Sequence, residues 1–143
     1  MKQKKFIVFS LAVLLLLTAC LTILHFKTRD SVPEGMLMVN ASGGTAYVKV
    51  DEIPTEPISC TVTNRKGNVK SVNSRGFALF SLADDCVQAA TVTADDAYHA
   101  EVGIEDADNA FLIFEEDGSL RLIVIGDSLA DRDVKNVVKV DFR

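Results

Sequence analysis

Tryptophan is absent from this 143-residue chain, histidine occurs twice and cysteine three times. Each shortage closes off a class of chemistry. A metal centre needs several nitrogen or sulfur ligands at short spacing, and beyond the first thirty residues only the distant Cys60 and Cys86 and an isolated His99 remain. No metal site and no cofactor are expected. Basic residues are also few, 15 Lys+Arg against 20 Asp+Glu for a net charge of −5. The deficit is uneven: the first thirty residues carry +4 and the remainder −9. An acidic remainder is poorly suited to nucleic acid, so no nucleic-acid partner is expected. Long helical periodicity is missing after position 30, which excludes a helical bundle.

What the chain has in one place is an apolar run. Phe6 to Phe26 contains no charged residue, and its 21 positions come after Lys2, Lys4 and Lys5. At about 1.5 Å per residue such a run spans a bilayer core of roughly 30 Å. The lysines before it hold the amino terminus in the cytoplasm and send the rest of the chain across the membrane. The same stretch has a second reading. Lys2 to Lys5 form an n-region, Phe6 to Leu17 an h-region, and Leu17-Thr18-Ala19-Cys20 closes it. These four residues resemble a bacterial lipobox, which implies acylation of Cys20 as the first residue of the mature chain. Leu21 to Phe26 stay apolar where lipoproteins usually turn polar. Residues 1–30 are therefore a lipoprotein signal or a transmembrane anchor, and both readings place the rest on the extracytoplasmic side, tethered to a membrane.

After a short linker, 31–35, the remainder is long enough for one domain, 36–143. Short runs rich in β-branched and aromatic residues recur about every ten positions, which is the pattern of strands. They are Met36–Val39, Ala46–Val50, Ser59–Thr63, Asn68–Val72, Phe77–Leu82, Val87–Thr93, Tyr98–Ile104, Phe111–Phe114, Leu120–Ile125 and Val137–Phe142. Turn residues separate them, among them Arg65-Lys66-Gly67, Asn73-Ser74-Arg75-Gly76 and Asp117-Gly118, the last a hairpin signal. Ser128-Leu129-Ala130-Asp131 has the form of a capping box and predicts a short helix through Lys135. In the final strand Val138, Val140 and Phe142 share one face. The spacing predicts an all-β fold, an antiparallel sandwich or barrel after an N-terminal hydrophobic helix.

In an exported domain, two cysteines are most simply a disulfide, so Cys60 and Cys86 are expected to pair, with buried free thiols as the alternative. The stretch 58–104 resembles the carboxypeptidase regulatory-like, or prealbumin-like, β-sandwich. Thr61-Val62-Thr63, Lys66-Gly67, Gly76-Phe77-Ala78-Leu79, Val92-Thr93-Ala94 and Tyr98 stand in that family's order. Ala97 stands where it has glycine. The resemblance implies a seven-stranded Greek-key sandwich serving as a spacer, adhesion or folding module, with no catalytic residues.

Ile125-Gly126-Asp127-Ser128-Leu129 resembles the nucleophile block of GDSL-type esterases. That chemistry requires a histidine base from a later Asp-x-x-His. No histidine comes after Leu129, and a strand end with a serine N-cap explains the same residues. Acidic turns at Asp84-Asp85, Asp95-Asp96, Glu105-Asp106-Asp108 and Glu115-Glu116-Asp117 read as solvated charge, with a calcium- or carbohydrate-binding module as the alternative. Arg65, Lys66, Lys70 and Arg75 form the only basic patch, on one predicted hairpin. Asn40-Ala41-Ser42 is a glycosylation sequon without meaning in a bacterial protein. Tyr98 and His99 would point to opposite faces of one strand, which forbids a joint site. The expected role is a non-catalytic interaction or structural module of a bacterial envelope, partnered with the membrane and with another envelope protein.

Overall fold

The computed structural model describes residues 2–27, 31–84, 86–128 and 131–143, with side chains of the first helix described at positions 10–24. The chain divides into two compact units, Met1–Ser31 and Val32–Arg143. The first contains helix α1, Lys2–Lys27. Its described side chains are all exposed, from Leu11 to Leu24. Thr18 and Thr22 donate their hydroxyls to backbone carbonyls three and four residues back, so neither needs a solvent partner. Among the described residues no helix is long and apolar enough to cross a membrane.

The second unit is β-rich, with ten strands in two sheets among the described residues. One sheet has the order β2 (Gly44–Lys49), β1 (Met36–Ala41), β10 (Val137–Phe142), β5 (Ala89–Ala94), β6 (His99–Gly103). The other runs β3 (Glu56–Thr63), β4 (Val69–Ala78), β7 (Ala110–Phe114), β8 (Leu120–Val124), β9 (Val134–Lys135). Alternation along each strand builds the core between them. In the first sheet Val39, Val140, Val92 and Ala100 lie in one register row. In the second, Phe77, Leu112, Leu122 and Val134 do the same. All eight are buried and belong to one cluster. The residues expected as a linker are tied to this unit: Met36 N–H donates to Pro33 and Val50 N–H to Gly35.

Several expectations are corrected. The sandwich is not wholly antiparallel, because β10 enters between β1 and β5 and runs parallel to β1. Val138 does not share the inner face with Val140 and Phe142. A register shift between Val137 and Lys139 inserts one extra residue, so Val137 is the buried one and Val138 only half-buried. The short helix from Ser128 is replaced by a bend at Ser128, a turn at Asp131–Arg132 and strand β9; Leu129 and Ala130 lie outside the described residues. β8 and β9 pair, and that ladder outcompetes the capping box.

Asn73-Ser74-Arg75-Gly76 is not a turn between two strands either, since β4 runs straight through it. The chain nevertheless changes course there. Gly76 lies so close to β7 that a Cβ would meet the Leu112 carbonyl oxygen at 2.3 Å. Past it, the β3–β4 hairpin folds back across the outer face of β7 and β8. In a flat sheet Val62, opposite Lys70, would sit about 26 Å along the strand axis from Ile123. Instead the two line one small cavity. Between hairpin and sheet lies a second apolar cluster: Ile58 and Val72 above, Ile113 and Ile123 below, with Cys60, Val62 and Phe111 packed against it. The opposite face of the hairpin is polar and exposed, with Ser59, Thr61, Ser71 and Asn73.

This fold-back decides the cysteines. The expected Cys60–Cys86 disulfide is absent, and all three thiols are free. Cys60 is turned into the second cluster, whereas Cys86 is exposed in the loop after the Leu79–Leu82 turn, at φ +79°.

Candidate recognition surface

The hairpin that covers the second cluster also carries the basic patch. Its tip is a closed turn. Asn64 Oδ1 accepts from the N–H groups of Lys66 and Asn68, both at 2.9 Å, and Gly67 takes φ +80°. Arg65 Nη2 donates to the Tyr98 hydroxyl at 3.2 Å, and that hydroxyl lies 3.4 Å from the Asp131 carbonyl. The tip thus reaches the β5–β6 turn, leaving a groove of about 510 Å³ lined by Arg65, Asp96, Tyr98, Asp133 and Lys135. Tyr98 is held from the other side as well: its N–H donates to Asp96 Oδ1, and Ala97 before it takes φ +70°.

Beneath the hairpin, β8 places Arg121 on the outer face, opposite Ile113 and Lys135. It is the one buried charged residue among those described, at 8% exposure. Its guanidinium donates to Asp133 through Nε (2.7 Å) and Nη2 (2.6 Å), and to Glu115 through Nη1 (2.9 Å). Asp133 first, and then Glu115, hold it protonated well above its ordinary value against the opposing effect of burial. Burial also pushes the Cys60 thiol up, with Arg121 acting in the opposite sense. A second arginine, Arg132, ties Asp127 and Asp106 together. Its protonated form is stabilised chiefly by Asp127.

The two arginine networks escaped the sequence reading. A lone arginine inside the apolar run Leu120 to Val124 was the available signal, and its carboxylates come from the turn before β8 and the loop before β9.

The other expected site residues fall in separate places. Asp127 of the esterase-like block is an ion-pair partner of Arg132, and Ser128 is exposed at a bend. His99 opens β6 with Nδ1 3.3 Å from the Ala97 carbonyl. Among the described residues no group of three or more His, Cys, Asp or Glu is arranged to hold a metal ion. Asp106, from one acidic turn, is occupied by Arg132. Asp117 lies at the rim of a shallow cleft of about 630 Å³ with Pro33, Met36 and Val137. The Ser119 hydroxyl and N–H hold its carboxyl below the usual range. Cys20 lies in α1 between exposed leucines, Leu17 and Leu21.

Neither the family models nor the curated proteins contain a match to this chain.

Proposed function

We propose that this protein is a membrane-tethered, extracytoplasmic β-domain that acts without catalysis, as an interaction or structural module of a bacterial envelope. The observation that carries the reading is the character of α1. Over positions 10–24 it is apolar on every side, its described side chains are exposed, and its threonine hydroxyls are folded onto its own backbone. Leaving Leu14 to Leu17, Leu21, Ile23 and Leu24 in water is unfavourable by roughly 25 cal/mol per Å². An acyl boundary removes that penalty. The lipobox-like Leu17-Thr18-Ala19-Cys20 makes Cys20 the acylated residue, with a separate sandwich unit after it. A partner in the envelope, most simply another protein, meets the sandwich at its strand edges or loop tips.

The Greek-key description belongs with this proposal. β4 and β7 are neighbours in one sheet, while the β5–β6 hairpin between them in sequence crosses to the other. The prealbumin-like resemblance stands beside it: Gly67 takes positive φ at its turn, and Ala97 takes φ +70° where that family has glycine.

The test is the intact mass of the protein extracted from its native membrane. Loss of residues 1–19 with acyl chains on Cys20 is expected. A full-length mass with the domain protected from protease outside intact cells would overturn the topology. A full-length mass with the domain cleaved would replace acylation by a retained, uncleaved amino-terminal anchor.

A further inference from the structure

The domain's cations are divided in an unusual way. Between Pro57 and Ala83 there are four, Arg65, Lys66, Lys70 and Arg75, and no carboxylate. The remainder of 31–143 carries a net −13. With carboxylates in such excess, ion pairing should be easy, and elsewhere it is: Lys49, Arg121, Arg132, Lys139 and Arg143 each pair with an acidic residue. Among the described residues the hairpin cations form no ion pair, and all four are exposed. The one further unpaired cation among those described is Lys135, and it lines the groove at the hairpin tip with Arg65 and Tyr98. Every unpaired cation described in the domain, other than Arg75, therefore lies at this tip or on the strand leading from it. Arg75, at the base, donates to Thr55.

Two further observations narrow the partner. β3 is an edge strand, paired with β4 on one side only, so its other backbone edge is open to an added strand. Asp96 and Asp133 line the same groove as Arg65 and Lys135. Both oxygens of Asp133 are already held by Arg121, which leaves Arg65 and Lys135 as cations of the groove without a carboxylate partner among the described residues. The open edge beside them suits an extended chain, whose backbone can pair with it, and a lipid surface has no such backbone.

We propose that the tip and open edge of the β3–β4 hairpin, with Lys135, dock an extended acidic segment of a partner protein. The proposal rests on the reading of this domain as an interaction module and names the surface and chemistry it uses.

The experiment uses the full chain in a nonionic detergent and a fluorescein-labelled octaglutamate peptide, monitored by anisotropy. Saturable binding is expected at about 50 mM salt, weakened roughly tenfold or more at about 300 mM, as surface charge is screened. Lys66→Gln/Lys70→Gln changes two exposed side chains without a bond in the fold, and should raise Kd about tenfold with the melting temperature unchanged. Arg65→Gln, which also releases Tyr98, should add to that loss. The idea falls if the peptide does not bind at low salt, or if the double variant binds it as well as the wild type. It falls equally if glycerol phosphate displaces the peptide at matched charge. Light scattering that shows self-association lost in the double variant would give the surface to a second copy and overturn the proposal. Failure of the peptide with Cys20 acylation established removes only this inference. A wrong topology removes the tether and leaves the peptide result standing.

Discussion

Replacing Gly76 with alanine would place a Cβ 2.3 Å from the Leu112 carbonyl oxygen, 2.9 Å from Ile113 Cα and 3.0 Å from Ile113 Cγ2. Two of these are backbone atoms of β7, which is itself paired to β8, so they cannot yield cheaply. The hairpin has little holding it to the sheet at that point, since β4 and β7 share only three register pairs. Two outcomes compete. If β7 absorbs the strain, the cost is that of overpacking, about 1–3 kcal/mol. If the hairpin lifts instead, the burial of Ile58 and Val72 is lost, about 1.5–3 kcal/mol for each side chain. The cheaper route sets the result, and reduced freedom of the unfolded chain returns about 0.4–1 kcal/mol. The net loss is about 1.3 kcal/mol, a fall in Tm of roughly 5 °C for a domain of this size. Circular dichroism melts of the full chain measure it. Thiol labelling then separates the routes, because a lifted hairpin exposes Cys60, which is otherwise turned into the second cluster. Gly67→Ala is the control: it sits in open space at φ +80°, so it strains the tip without exposing Cys60. Wild-type stability and wild-type labelling of Cys60 in Gly76→Ala would refute the fold-back.

Ala97 is held at φ +70°, where a Cβ costs about 1–2 kcal/mol; Ala97→Gly should stabilise the domain by about 0.5–1 kcal/mol once unfolded-state entropy is subtracted. A denaturant midpoint that does not rise would count against the strain. Arg121→Met keeps the packing volume but strands Asp133 and Glu115, whose side chains are 20% and 35% exposed. Breaking a buried pair costs about 3–5 kcal/mol, and this partial exposure reduces the expected loss to about 2 kcal/mol. A triple change that also neutralises Asp133 and Glu115 should recover most of it, and equal instability in the single and triple variants would show that Arg121 acts only through its packing.

Strand existence was legible from the sequence because it depends on local alternation. Val92 and Val140 alternate with half-buried neighbours and are themselves buried, whereas Leu112 and Leu122 lie in strands buried on both faces. The basic hairpin was equally visible, its two strands and its charges together. What stayed hidden is long-range. The parallel pairing of Met38 with Lys139 joins residues a hundred positions apart, and no local pattern encodes it. The same holds for Cys60. Its neighbours in sequence suggest an ordinary edge strand, and only the bend at Gly76 turns it onto Ile113 and Ile123. Arg121 carries no role in the sequence alone, because a charge inside an apolar strand acquires meaning only with its partners, which a turn and a loop supply. At Ser128 a short-range capping preference is real as a preference and loses to the β8–β9 ladder.

The place of β10 has a kinetic consequence. β10, C-terminal to the other nine described strands, occupies the centre of its sheet, between β1 and β5. Until it arrives, β1–β2 and β5–β6 are two separate hairpins with facing open edges, and neither can bury Val39 or Val92 fully. The domain therefore cannot assemble from its amino end as it emerges. Closure waits for β10 and joins residues about a hundred positions apart, which places folding in the slow range of milliseconds to seconds. During that interval the open edges of β1 and β5 are where a second chain could be captured.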